Sequence, residues 1–314
     1  MKKISIVIPT LNRSNLISKT LLSIQQQSFS NWECIIVDDE SHDNTKDVVS
    51  AFVSSDPRFK YYLRPKHLEK GPSSCRNYGY SRSTGDYINW FDDDDIMLQD
   101  ALSLRMEAFE LDTDCVVCPL THWNFDLQKS LGITTVTSND LISEYLIGRV
   151  IFFVSGPIWK KSFLEKQPEL FDPDIRNLDD WDFNLRMLYS NPKISFVDRP
   201  LILYRIHSNT LSQKLLLKDE IEIDSLHRTR IKHLKILNKL NIEDLRFKRL
   251  VKREIKSNIL WVFINKKQWR FKLLQYLLLI SYYTKDLNFG IRGGIGFISY
   301  FIFGKGYIFF KEYK

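Results

Sequence analysis

Through its first 120 residues the chain alternates short apolar runs with amphipathic stretches, and this alternation limits the possible fold more than any other feature. ISIVI (4–8) and ECIIV (33–37) are continuous apolar runs, as expected of strands buried on both faces of a parallel sheet. Between them Ile17, Leu21 and Ile24 recur at helical spacing over 15–26, with Ser14 placed to cap that helix. A second helix is predicted over 44–54, a third strand over 59–63, a short helix over 74–83 after Gly71-Pro72, and a fourth strand, YINWF, over 87–91. A β-α-β-α-β-α-β order implies a mostly parallel sheet with helices on both faces, and ligands then bind beyond the carboxyl ends of the strands. Asp38-Asp39 and the run Asp92 to Asp95 both stand at such ends.

Beyond 120 the pattern is less regular, with a helix predicted over 181–189 and one strand over 194–203. Cys115 and Cys118 form C-x-x-C, but within the apolar run CVVCPL they read as core residues, and with Cys34 and Cys75 they are too few for a disulfide framework. Charge divides the chain: residues 211–314 carry 22 Lys/Arg against 9 Asp/Glu, leaving 23 against 29 before them. We therefore expect a domain over 1–212, followed by basic amphipathic helices over 213–314. Ile4 to Ile8 is too short for a secretory apolar region, and no run reaches the ~20 residues of a membrane-spanning helix.

Consecutive aspartates after a buried strand must be solvated, hydrogen-bonded or neutralised by a cation. As oxygen-only ligands they suit Mg²⁺ or Mn²⁺. In an extended segment Asp92 and Asp94 would share one side and Asp93 the other. Asp38-Asp39 suits either a turn or a nucleotide contact, and the absence of G-x-G-x-x-G after the first strand argues against a dinucleotide dehydrogenase. Taken alone, the acids at 179–182 most simply suit a helix N-terminus.

The ordered set ISIVIPTLNR (4–13), IIVDDESHDNT (35–45), GPSSCRNYGY (71–80), GDYINWFDDDDI (85–96), LDDWDFNLR (178–186) and LYRIHSNTLS (203–212) resembles family 2 glycosyltransferases. The resemblance implies an α/β GT-A fold, Rossmann-like with a mostly parallel sheet, its nucleotide-binding half over about 1–120 and its acceptor-binding half over about 121–212, and a hexosyltransferase-type enzyme using a nucleotide sugar and Mn²⁺ or Mg²⁺. On that pattern Pro9, Thr10, Asn12 and Arg13 line the nucleotide pocket, and Asp39 bonds the base. A carboxylate accepting a ring N–H makes UDP the first expectation. Arg76 neutralises a phosphate or holds Asp92. Asp92 and Asp94 match the D-x-D acids, Asp92 toward ribose and metal and Asp94 on the metal, with Asp93 also counted among the nucleotide-binding residues. Asp180 matches the catalytic base of an inverting displacement. Asp179 supports it in a place where the family usually has Glu. His207 matches a histidine near metal or diphosphate. Trp181 and Trp159 are candidates for stacking on an acceptor sugar, or for core roles.

Aromatics and leucines alternate with Lys and Arg over 261–283 and 296–314, as in interfacial membrane helices, although these faces could instead pack on the catalytic domain. The first expectation fits a lipid-linked saccharide acceptor in surface-polysaccharide assembly and a cytoplasmic enzyme peripheral to the inner face of the cell membrane. A nucleic-acid-binding protein using the basic tail leaves the ordered acidic motifs unexplained, so no nucleic-acid partner is expected. A nucleotidyltransferase would need a glycine-rich phosphate loop, and the sequence has none.

Overall fold

The computed structural model describes residues 2–206 and 217–311, in two compact units, Met1–Ser208 and Asn209–Lys314. In the first, β1 (Ile4–Thr10), β2 (Trp32–Asp38), β3 (Phe59–Leu63) and β4 (Tyr87–Trp90) pair in parallel, with β1 between β2 and β4 and β3 outside β2. Every residue of β1, β2 and β4 is buried, in keeping with their near-continuous apolar runs. The connecting helices are α1 (Ile17–Gln25), α2 (Thr45–Ser55) and α3 (Pro72–Arg82). α1 buries Ile17, Leu21 and Ile24 in the core, as their spacing predicts.

Next come β5 (Ile96–Met97), α4 (Ala101–Glu107), β6 (Cys115–Val117), β7 (Leu120–Asn124) and β8 (Lys129–Ile133). They are followed by α5 (Leu141–Leu146), β9 (Pro157–Lys160), α6 (Lys161–Leu164), α7 (Asp179–Tyr189), β10 (Ile194–Phe196) and β11 (Ile202–Arg205). The main sheet runs β10-β6-β9-β4-β1-β2-β3, with β9 antiparallel to both neighbours. A second sheet runs β5-β11-β7-β8. All four cysteines are buried and free, so C-x-x-C is a core feature.

Three expectations are corrected. Leu16, not Ser14, is the N-cap of α1, and the Ser14 N–H donates to Asp43 Oδ2 (3.1 Å), tying the loop after β1 to the loop after β2. The third helix begins at Pro72, two residues before its predicted start, because proline fits the first helical turn, where no N–H partner is needed. The single strand over 194–203 is two strands in different sheets, β10 on β6 and β11 on β7. Pro200 lies between them, where a missing N–H and a restricted preceding residue interrupt a ladder.

The two ends of the main sheet differ in chemistry. At the amino end Glu33 accepts from Ser5 Oγ (2.6 Å), Lys60 Nζ (2.6 Å) and the Thr84 N–H (2.7 Å). This carboxylate ties three strands and the loop before β4 together. The carboxyl end carries Asp38, Asp39 and Asp92 to Asp95.

In the second unit α8 (Glu220–Lys239), α9 (Leu245–Ile264), α10 (Arg270–Thr284) and α11 (Leu287–Phe303) pack around Phe247, Ile255, Ile259, Val262, Leu277 and Ile280. Asp219, Asp244 and Asp286 cap α8, α9 and α11 by accepting first-turn N–H groups. α11 lies within the helical region expected over 213–314, where the sequence set no bounds for a helix.

Candidate active site

The site is built where β4 ends. Asp92 to Asp95 do not continue the strand: Asp93 and Asp94 form a turn, closed by the Asp95 N–H to the Asp92 carbonyl (3.4 Å). The side-chain alternation expected of an extended segment is therefore lost. Asp93 and Asp94 both face Arg13, with its Nε 3.4 Å from Asp93 Oδ1 and its Nη2 3.7 Å from Asp94 Oδ2.

Residues without a motif of their own fix this turn. Thr20 Oγ1 on α1 lies 3.0 Å from the Asp93 carbonyl and 2.8 Å from that of Asp95. Ser155 Oγ donates to Asp95 Oδ2 (2.9 Å) and accepts from the Asp92 N–H (3.3 Å). Arg205 donates its N–H to Asp95 Oδ1 (3.2 Å) and its Nε to the Asp94 carbonyl (2.8 Å). Asp95 is thus a buried anchor, and burial followed by the charges of Asp94 and Asp92 pushes its carboxyl well above the usual range. Burial and Asp94 likewise push Asp93 up to about 7, against the pull of Arg13.

Arg76, buried on α3, has two acidic partners. Its Nη2 donates to Asp92 Oδ1 (2.9 Å) and its Nη1 to Asp179 in the first turn of α7. Of the two roles expected for Arg76 the structure displays the hold on Asp92, with a second hold on Asp179. Asp180 follows, with Oδ1 accepting the Trp181 N–H (2.7 Å). Burial, then the neighbouring Asp179 charge, pushes Asp180 up to about 7 against the pull of Arg76. Asp182, the last acid of the stretch, pairs with Arg186 one turn on (2.8 Å).

The loop after β1 meets the loop after β2. Asn12, at φ 53°, donates its N–H to Ser41 Oγ (2.8 Å), and its side-chain oxygen accepts the His42 N–H (2.8 Å). The Arg13 N–H donates to Thr45 Oγ1 (2.8 Å). Pro9 and Thr10 are buried at the end of β1, and the Thr10 carbonyl accepts the Asp39 N–H (2.8 Å). Asp38 is structural: it accepts from Tyr61 Oη (2.8 Å) and the Ser41 N–H (2.7 Å). Asp39 forms a buried ion pair with Arg64 Nε. Sequence reasoning missed Arg64, although its place directly after β3 is the strand-end signal that picked out Asp39.

Neither tryptophan offers a platform for a sugar. Trp159 is fully buried in β9, stacked on Phe163 at 5.4 Å, and Trp181 is buried with its indole N–H donating to the Tyr145 carbonyl (3.0 Å). Both are scaffold residues. His207 lies outside the described residues.

Among the described residues no three Asp, Glu, His or Cys side chains converge as a metal cage. The donor set nevertheless fits a Mg²⁺ or Mn²⁺ shared with a diphosphate, since such ions take one or two carboxylates and fill the remaining positions with phosphate oxygens and water. Asp92 and Asp94 are oxygen donors in a crowded acidic turn where added positive charge relieves repulsion.

A family model described as Glycosyl transferase family 2 matches residues 5–146, a span that includes the acidic turn and Arg76. The GalNAc(5)-diNAcBac-PP-undecaprenol beta-1,3-glucosyltransferase of Campylobacter jejuni is 40% identical over 107 residues, 34% of each chain. The Escherichia coli UDP-Glc:alpha-D-GlcNAc-diphosphoundecaprenol beta-1,3-glucosyltransferase WfgD is 34% identical over 103 residues, 33% of this chain and 39% of that protein. The matches thus span little more than a third of these relatives' lengths. S. aureus TarS 1-349 in complex with UDP-GlcNAc superposes with a TM-score of 0.55 at 18% identity, covering 95% of this chain and 92% of that one, a likeness of fold. Over residues 5–146 the chain is thus similar to family 2 glycosyl transferases, and its fold is of the GT-A class.

Proposed function

We propose that the chain transfers a sugar, with inversion, from a nucleotide sugar, foremost a UDP-sugar, to a hydroxyl of a lipid-linked saccharide in surface-polysaccharide assembly. The observation that carries this reading is the joining of Asp92 to Asp179 through Arg76, which sets the donor-side acids and the candidate base beside one another. The family 2 domain supports the reaction class. The two relatives named for undecaprenol-linked substrates support the acceptor class, and the one named for UDP-Glc supports the donor.

In this reading Asp180 takes the proton of the acceptor hydroxyl as its oxygen attacks the anomeric carbon. A carboxyl pushed up to about 7 is basic enough to accept that proton while staying substantially ionised at neutral pH. Arg76 holds Asp179 and Asp92 in place. Asp39, steadied by Arg64, accepts the ring N–H of uracil, and Arg13 and Asn12 shape the pocket wall. Asp92 and Asp94 would hold a divalent cation, with His207 assigned beside them on resemblance, and the chemistry that cation supplies is neutralisation of the diphosphate leaving group.

The test is incubation of the purified protein with labelled UDP-glucose or UDP-GlcNAc, Mn²⁺ and a polyprenyl-diphosphate-linked saccharide. A β-linked extended saccharide with release of UDP is expected. Turnover of UTP and a sugar phosphate, with no transfer from any nucleotide sugar, would overturn the reading.

A further inference from the structure

Helix α11 reverses the usual arrangement of a helix in water. Its buried positions include Gly290, Gly293 and Gly296, while Leu287, Ile291, Ile295, Ile298, Ile302 and Phe303 are exposed, Ile298 by 60% and Phe303 by 69%. The glycines face inward because side chains there would collide with α10 and the chain end. A Cβ at Gly290 would meet Ser281 Oγ at 2.5 Å, and one at Gly293 would meet Leu277 Cδ1 at 2.5 Å. The isoleucines follow at helical intervals and form one continuous outward stripe. Leu278 and Tyr282 of α10 extend it across a cleft whose rim includes Lys285. Contiguous exposed apolar surface of this kind marks an interaction site.

Charge identifies the occupant. Between Trp261 and Lys311 the chain carries eight Lys/Arg and one acidic residue, Asp286. Asp286 is itself neutralised by Lys252 (2.6 Å) and occupied in capping α11. Arg292 is exposed on α11, and the Arg270 guanidinium lies 4.8 Å from the Phe301 ring. An apolar stripe rimmed by cations matches the acyl boundary and anionic headgroups of a lipid leaflet. A second copy fits less well, because apposing two such faces would bring their basic rims together. No described helix is long and apolar enough to cross a membrane.

We propose that α11, with the adjoining face of α10, lies in the plane of an anionic lipid surface, burying Ile291, Ile295, Ile298 and Ile302 among acyl chains while Lys285, Arg292 and Lys305 meet the headgroups. This goes beyond the proposed transfer and does not depend on it.

The test is flotation of the intact protein with phosphatidylcholine vesicles with and without phosphatidylglycerol, at low and high salt. Wild-type protein should float with the anionic vesicles, less so at high salt. Ile291→Ser/Ile295→Ser/Ile298→Ser should lose at least about tenfold in partitioning, as expected when buried apolar area drives interfacial binding. Arg292→Glu/Lys305→Glu should lose the preference for anionic lipid. Because the substituted side chains are exposed, both variants should keep the wild-type melting temperature. Absence of wild-type flotation would overturn the proposal. So would a protein that is dimeric without lipid and made monomeric by the triple substitution, or a triple variant with a lowered melting temperature, which would mean that the chain itself covers the stripe.

Discussion

Asp92 and Asp179 share one guanidinium, that of Arg76, so the end of β4 and the head of α7 are held together by a single buried side chain. Although burial disfavours its charge, the two carboxylates hold Arg76 protonated more firmly than usual. Arg76→Lys replaces a planar fork with a point charge that cannot serve both partners in the same geometry. Its transfer rate should fall by about 100-fold or more, as when preorganised charge is displaced. Because Arg76 lowers the Asp180 carboxyl, Arg76→Ala should also move the acid limb of the pH–rate profile to higher pH. A reduced rate with an unmoved limb would make Arg76 structural only.

Asp180→Asn keeps size and removes basicity. Loss of a general base costs typically 10²- to 10⁴-fold, so kcat should fall within that range while UDP binding measured by calorimetry stays as it was. In the wild type the base acts when deprotonated, so kcat should decline as pH falls through about 7. Wild-type transfer by the Asn variant would remove Asp180 from the mechanism.

Asp94→Ala should leave UDP binding weak and nearly indifferent to Mn²⁺, because the acid proposed to hold the cation is gone. Titration of the variant with and without EDTA checks this, and an undiminished metal effect would assign the cation to other residues.

Glu33 should govern stability rather than activity. Burial raises its carboxyl, but hydrogen bonds from Lys60, Ser5 and Thr84 outweigh it and hold the group at about 2 instead of 4.5. The folded value lies below the unfolded one, so the stabilisation is full above about pH 4.5 and is lost as pH falls toward 2. At about 1.4 kcal/mol per unit this amounts to roughly 3 kcal/mol at neutral pH. Urea unfolding of Glu33→Gln should show a loss of that order at pH 7 that shrinks toward pH 2, with nucleotide binding unaffected.

The central strands and the acids at their ends were legible because buried parallel strands read as unbroken apolar runs. The strand over 59–63 was predicted as found. What escaped depends on contacts between distant segments. Thr20, Ser155 and Arg205 fix the acidic turn from α1, the loop before β9 and β11, and none carries a local signal of that task. Side-chain alternation failed at Asp93 because the chain turns there. The bounds of α11 escaped because its four glycines have poor helix propensity, which tight packing of three of them overrides.

Whether the acidic turn and Asp39 form a metal-assisted nucleotide site is decided by calorimetric titration of UDP in Mn²⁺ and again in EDTA, beside GDP under the same conditions. UDP binding that requires Mn²⁺ and exceeds that of GDP is the predicted result. Folded protein that binds neither nucleotide, or binds UDP equally well in EDTA, would contradict it.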